Sequence, residues 1–267
     1  MYQKTIKTNL FFEGLGVHSG LKNSICLKPA KVNTGILFIK DKVKISICLK
    51  NLLYSELCTT ISTNSIKIST VEHLLSSIYS LGITNIEIEV VGDEIPILDG
   101  SSYLFTKFLK DLIIIQDTQE KILNIKKNVF YTNQDKFLIA IPNNNLEINY
   151  FINYENKLPY FMYYKYKHSS DNYINEISKA RTFGYKEDLE FLLKKGLAKG
   201  SSLENTLVIE KNKFINNLNY INDPVRHKIL DLLGDLAFLN KKLNAKIFAY
   251  KTGHKEHLEF VKKLLEL

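Results

Sequence analysis

STVEHLLSSIYSLGITNIEIEVV, residues Ser69 to Val91, changes its period halfway along. Val71, Leu74, Leu75 and Ile78 recur at helical spacing, which predicts an amphipathic helix opening near Ser69 and stopping at Gly82. Ile86, Ile88 and Val90 then alternate with Glu87 and Glu89, the period of a half-buried strand. A helix with one apolar face followed by a strand with one apolar face must bury both against a shared core, so the fold class is α+β with helices layered on a sheet.

Upstream of this stretch, residues 24 to 49 alternate apolar and polar, as in Ile25, Leu27, Ile36 and Phe38, with turn residues Asn33, Thr34 and Gly35 between. These are expected to be strands joined by a hairpin. Downstream, Asp93 to Ser102 reads as a loop, with Ser101 or Ser102 capping a helix through Phe105, Phe108, Leu109 and Leu112. The polar stretch Gln116 to Lys121 is the best linker candidate, because both flanks return to periodic patterns.

The second half repeats the theme. Strands are expected near 122–131, 136–142, 146–153 and 159–166, followed by a helix around 171–180. An amphipathic helix with Leu189, Leu192 and Leu193 precedes Gly196. Asp223 and Pro224 open a further helix through roughly Leu239, then come a strand at Lys246 to Tyr250 and a last helix from Lys255. Two α+β domains result, 1–117 and 118–267.

The chain has 267 residues, 45% hydrophobic and 24% charged, which places it among globular proteins and excludes a disordered chain. No apolar run approaches the roughly 20 residues of a membrane helix, and Leu10, Phe11 and Phe12 are too short for a signal-peptide core, so a cytoplasmic location is expected. Cys26, Cys48 and Cys58 are scattered and odd in number, which favours reduced structural thiols over a disulfide framework or a thiolate zinc site. The net charge of +8 is spread along the chain, so it carries no nucleic-acid surface of clustered basic residues, and no nucleic-acid partner is expected.

His227 and Asp231 are four apart on the 223–239 helix and project from one face, with Asp235 one turn further on. Flanking Ile229, Leu230, Leu232, Leu233 and Leu236 bury the helix on both sides of this stripe, so its polar groups face a cleft and need partners. A metal would satisfy them, and His73 from the other domain would complete two imidazoles and one carboxylate with an open fourth position, the ligand set of a catalytic zinc. An exposed hydrogen-bonded face is the competing explanation. Glu72 also has two readings. It can serve as base to an activated water beside His73, or it can close a capping box with Ser69. Local spacing favours the box. His254, after Gly253 at a strand end, and His18, among Gly14, Gly16 and Gly20, are free to sit at a site edge; His168 and His257 read as solvated surface.

Seven ordered segments carry a resemblance: Gly14–Gly20 (GLGVHSG), Ser69–Leu75 (STVEHLL), Glu94–Ser102 (EIPILDGSS), Ala180–Gly184 (ARTFG), Gly196–Leu207 (GLAKGSSLENTL), Val225–Leu236 (VRHKILDLLGDL) and Gly253 with His254. Over nearly its whole length the chain resembles the UDP-3-O-acyl-N-acetylglucosamine deacetylases, zinc amidases of bacterial lipid A synthesis. The resemblance implies one zinc ion on His73, His227 and Asp231, with Glu72 as general base in place of a helix cap. It implies His254 as acid or electrostatic partner oriented by Asp235, and Thr182 as donor to the oxyanion. It further implies Lys228 facing the nucleotide and phosphates of the substrate, with Asp99 and Lys136 on that side. Phe183 and an insert at about 185–207 would form the passage for the acyl chain.

The implied fold is two sandwich domains of the ribosomal protein S5 domain 2 type with the site between them. The implied enzyme is a monomer that takes the UDP-sugar substrate, touching the inner membrane peripherally. The chain departs from the family pattern at Ser201, where a second glycine is usual, at Pro224, and at Lys255, Glu256 and His257, where small or amide residues are usual. These departures are expected to touch the acyl passage and rim. A zinc hydrolase of another acylated amino sugar, lacking the narrow apolar passage, is the alternative activity.

Overall fold

The computed structural model describes residues 1–53, 57–155 and 157–267. It is a mixed α+β chain, and two antiparallel-dominated sheets carry most of its strands. The first runs Leu10–Leu15, Lys22–Pro29, Ile86–Val91, Ile36–Lys40 and Val43–Ser46 in spatial order. The second runs Val129–Asn133, Lys136–Pro142, Lys242–Tyr250, Glu147–Asn153 and Phe161–Lys167, with Ile122–Asn124 also paired to Lys242–Tyr250.

The expected hairpin around Asn33–Gly35 does not form. Ile86–Val91 lies between Lys22–Pro29 and Ile36–Lys40, antiparallel to the first and parallel to the second. Alternation specifies which face of a strand is buried but not which neighbour it pairs with. The parallel partner is reached through helix α1 (Glu72–Ser80), the long crossover that a parallel pair requires. The expected linker is likewise structured. Ile113–Gln119 is a strand antiparallel to Tyr2–Ile6, and the Gln116 side chain donates to the Ala30 carbonyl and accepts from Asn85. Gln116 is thus satisfied within the fold, while Asp117 and Gln119 stay exposed.

Helix α2 is Tyr103–Leu109, with the Ser101 hydroxyl accepting from the Tyr103 amide. The helix expected at 171–180 is the short α3 (Ser170–Asn172), continuing as a wider π turn over Tyr173–Ile177. Helix α4 (Leu189–Lys194) buries none of its residues; Leu189, Phe191 and Leu193 are exposed. The leucine stripe there therefore faces away from the core. Helix α5 (Asp223–Leu236) opens with Pro224 in its first turn, and α6 spans His254–Leu265.

The core is continuous through the middle of the molecule. Leu74, Leu75 and Ile78 of α1 meet Ile229, Leu230 and Leu233 of α5, and the same cluster holds Ile86 and Ile88 of one sheet with Ile148 and Ile247 of the other. Each such fully buried aliphatic side chain contributes about 1.5–3 kcal/mol of transfer free energy. Gly234 sets the closeness of the two helices, because a Cβ there would lie 2.3 Å from the Glu72 carbonyl oxygen. Among the described residues no helix is long and apolar enough to cross a membrane.

Candidate metal centre

The loop into α1 is bent by Thr70, whose φ of 59° is unusual for a β-branched residue. Its hydroxyl donates to Glu94 Oε1 at 2.9 Å, and the same carboxylate accepts from the amides of His18 and Ser19 and from the Ser19 hydroxyl. Glu94 thus ties the GLGVHSG loop to the start of α1. No capping box forms between Ser69 and Glu72: the helix begins at Glu72, whose Oε2 accepts instead from the Thr59 amide at 2.9 Å. With its carboxylate turned inward, Glu72 is only 2% exposed.

α1 and α5 bring His73, His227 and Asp231 together so that one donor atom from each lies within 4.8 Å of the others. His227 Nε2 stands 3.3 Å from Asp231 Oδ1, while its Nδ1 reaches the Ala180 carbonyl at 3.1 Å. That second contact fixes Nδ1 as the protonated nitrogen and leaves the Nε2 lone pair directed at the cluster, as in metal-ligating histidines. Asp231 Oδ1 is buried without a hydrogen-bond partner and lies 4.0 Å from His73 Nε2. An orphaned buried carboxylate oxygen beside two imidazoles, a borderline-soft donor set, fits a zinc ion.

Burial pushes the His73 pKa down to about 3, and neighbouring His227 adds to the effect; burial also lowers that of His227. Both imidazoles are therefore neutral, the form that ligates metal. Burial would raise the Asp231 pKa, but the positive charge around it, that of Lys228 and His254 included, outweighs burial and holds the carboxyl well below its usual range. Lys228 Nζ lies 2.8 Å from Asp231 Oδ2, so this lysine leans on the acidic ligand, with the Phe183 ring 5.8 Å away. Phe183 in turn stands edge-on to His227 with centroids 6.5 Å apart.

Glu72 and His254 border the cluster. His254 Nε2 is 3.9 Å from Glu72 Oε1 and 3.8 Å from Asp231 Oδ2, while its Nδ1 meets Asp235 Oδ2 at 2.9 Å. Burial opposes charge on His254, but Asp235, Asp231 and Glu72 together raise its pKa to about 10. Burial raises that of Glu72 to about 8, despite the opposing pull of His254. Thr182 is positioned by its backbone, its amide donating to the Gly100 carbonyl and its carbonyl accepting from Leu207. Asp223 pins the same loop to α5 by accepting from the Arg181 amide at 3.2 Å.

Asp99 and Lys136 are engaged elsewhere. Asp99 accepts from the amide and hydroxyl of Ser101. Lys136 pairs with Glu256 at 3.1 Å, and Glu256 caps α6 by accepting from the Gly253 amide. His257 is fully buried, not surface, with Nδ1 2.8 Å from Asp235 Oδ2 and Nε2 2.9 Å from the Tyr150 hydroxyl. Its position on the inner face of α6, one turn after His254, could have been read from the spacing. His257 thus lies against Asp235 in the interior, and Glu256 is buried at the start of α6. His168 is half-buried, with Nδ1 3.1 Å from the Tyr166 hydroxyl and its ring tilted over Tyr79. His18 is held through its backbone to Glu94 and Lys199, and its Nδ1 is buried without a partner. Thr59 carries no motif and was reached only through the fold. Cys26 and Cys58 are buried, Cys48 is partly so, and among the described residues no cysteine is in a disulfide.

Residues 3–266 match the family described as UDP-3-O-acyl N-acetylglycosamine deacetylase. Three relatives are each named UDP-3-O-acyl-N-acetylglucosamine deacetylase. The protein of Syntrophus aciditrophicus is 38% identical over 99% of this chain and 86% of its own length. That of Thermodesulfovibrio yellowstonii is 39% identical over 99% and 92%. That of Aquifex aeolicus is 36% identical over 98% and 92%. The likeness thus runs through both sheets and through the two helices whose facing turns hold His73, His227 and Asp231, and the chain belongs to the UDP-3-O-acyl N-acetylglycosamine deacetylase family.

Proposed function

We propose that this chain hydrolyses the N-acetyl group of UDP-3-O-acyl-N-acetylglucosamine, releasing acetate and the free amine as a step of lipid A biosynthesis. The observation that carries the reading is the buried convergence of His73, His227 and Asp231 with Glu72 and His254. His73, His227 and Asp231 would hold zinc, which when bound supplies Lewis-acid polarisation of a carbonyl and lowers the pKa of water.

Glu72 would take a proton from the attacking water on Oε1, the oxygen its bond to the Thr59 amide leaves free. Burial makes this carboxylate a stronger base than an exposed one, which favours uptake of that proton. His254 presents Nε2 to the cluster and carries positive charge, so it stabilises developing negative charge or protonates the leaving amine. Asp235 fixes the ring's orientation. The Thr182 hydroxyl would donate to the oxyanion of the tetrahedral intermediate, a preorganised donor of the kind that lowers such barriers.

On the substrate side we assign Phe183 and Lys228, with the exposed apolar residues of α4 in the 185–207 insert as the wall of the acyl passage. Asp99 and Lys136 would act through the loop and helix they brace. We also read the chain as two sandwich units of the ribosomal protein S5 domain 2 type, 1–117 and 118–267. In support, Ile113–Gln119 pairs back to Tyr2–Ile6, whereas Ile122–Asn124 pairs with Lys242–Tyr250. A cytoplasmic enzyme in peripheral contact with the inner membrane fits an amphiphilic substrate.

The test is acetate release from UDP-3-O-acyl-N-acetylglucosamine by the zinc-loaded chain, with a series of shortened acyl chains alongside. Turnover that falls as the acyl chain shortens is expected. No acetate from the full-length substrate, with acetate from other N-acetylated amino sugars, would overturn the reading.

A further inference from the structure

We infer that Thr59 is a positioning residue that couples Glu72 to the His254–Asp235 pair, through its amide on one side and its hydroxyl on the other. This rests on the roles proposed above for Glu72 and His254. Thr59 is 1% exposed and immediately precedes the short strand Thr60–Ser62. Its carbonyl accepts from the Val71 amide at 3.1 Å, which locks it against the start of α1.

The hydroxyl has one hydrogen, and its geometry settles where that hydrogen goes. Thr59 Oγ1 lies 2.5 Å from Asp235 Oδ1, a carboxylate oxygen that can only accept. Its hydrogen is therefore spent on Asp235, and toward His254 Nδ1, 3.1 Å away, Oγ1 can only offer a lone pair. His254 Nδ1 thus faces two acceptors, Oγ1 and Asp235 Oδ2, and must itself carry a hydrogen. Nε2 is left as the nitrogen that exchanges a proton with the site.

Asp235 receives a third bond, from His257 Nδ1 to Oδ2. With Thr59 on Oδ1 and two histidines on Oδ2, the carboxylate cannot rotate, and His254 is held in one ring orientation. The Thr59 amide meanwhile holds Glu72 Oε2, so Oε1 faces His254 Nε2. One residue fixes both groups that handle protons, from opposite ends of a single backbone-to-hydroxyl reach.

The hydroxyl is separable from the amide by substitution. Thr59→Val keeps the shape and the amide and removes only the hydroxyl; Thr59→Ser keeps the hydroxyl. On zinc-loaded full-length protein, Thr59→Val is expected to lose about ten- to a hundredfold in kcat, as partners of a site's working groups do when removed. Its KM and zinc content should match wild type, because the partners of the hydroxyl are Asp235 and His254 and not the three proposed ligands. Thr59→Ser should recover most of the rate. Thr59→Ala repeats the hydroxyl deletion without an added branch should the valine variant fail to fold. His254→Ala run in parallel separates the two levels. If it is slow while Thr59→Val runs at wild-type kcat, the inference fails and the proposed function stands. Equal losses in Thr59→Val and Thr59→Ser would also overturn the inference, since the hydroxyl would then not be what matters. A wild-type rate in His254→Ala would overturn the acid's role and this inference with it.

Discussion

Gly234 of α5 packs directly on the backbone of Glu72: an added Cβ would come within 2.3 Å of the Glu72 carbonyl oxygen and 3.0 Å of its Cα. The contact is backbone on both sides, so no side-chain rotation relieves it. It lies between Asp231 and Asp235 along α5 and at the base on α1, so the spacing of the two helices also sets the spacing of the proposed ligands. Gly234→Ala is expected to force the helices apart, costing about 1–3 kcal/mol of stability and lowering turnover more than the folded fraction falls. Urea denaturation and kcat on the folded protein check this; an unchanged midpoint with unchanged kcat would show that the helices part freely.

Glu94 holds four donors on one buried carboxylate, three from the His18–Ser19 loop and one from Thr70. Glu94→Ala leaves the buried Thr70 hydroxyl and three part-buried donors of the loop without their acceptor, a loss on the order of 3 kcal/mol. The expected result is a lower unfolding midpoint together with release of the left-handed Thr70 backbone, visible as faster amide exchange at the start of α1.

The pH dependence of metal-free stability carries a signature of His254. Its pKa rises from 6.5 to about 10 on folding, with burial opposing and Asp235, Asp231 and Glu72 favouring the charged form. A folded pKa above the unfolded one means the folded state binds the proton more tightly. The stabilisation is therefore full below the unfolded value and is lost as pH rises through the folded one. After chelation, the difference in urea midpoint between wild type and His254→Gln should be greatest below about 6.5 and shrink toward about 10. A difference that stays constant across that window would mean that His254 is neutral in the folded chain.

Phe191 is 58% exposed on α4, flanked by exposed Leu189 and Leu193. Phe191→Ser should leave stability within roughly 0.5 kcal/mol of wild type, as surface changes do. If α4 walls the acyl passage, kcat/KM on the long-acyl substrate should fall about tenfold, the worth of one apolar contact of ~1.4 kcal/mol, with little change on a short-acyl analogue. Equal effects on both substrates would place the acyl chain elsewhere.

The fold class was legible because periodicity reports burial: Val71, Leu74, Leu75 and Ile78 are fully buried as their spacing implies, and so are Ile86 and Ile88. Strand neighbours were not legible, since Ile86–Val91 enters between two strands that the turn at Asn33–Gly35 seemed to join. Polar composition at Gln116–Lys121 suggested a linker where a strand runs to Gln119, with the Gln116 side chain bonded inside the protein. The stripe of His227, Asp231 and Asp235 followed from helical geometry alone, and bringing His73 to it needed the α1–α5 packing. Glu72 shows the limit of local signals. Ser69 and Glu72 satisfy the capping pattern, yet tertiary contact with Thr59 wins the carboxylate. Thr59 was hidden for a related reason, because a hydroxyl acquires a role only from the groups the fold sets beside it.

Metal analysis of the purified chain beside His227→Ala and Glu72→Gln tests the proposed centre most directly. About one zinc per wild-type chain is expected, held by three protein ligands, with the metal lost from His227→Ala. Glu72→Gln should keep its zinc while its rate of acetate release falls by about a hundredfold or more, the scale of a lost general base. Wild-type protein that takes up no zinc, or a His227→Ala variant that retains it in full, would contradict the centre formed by His73, His227 and Asp231.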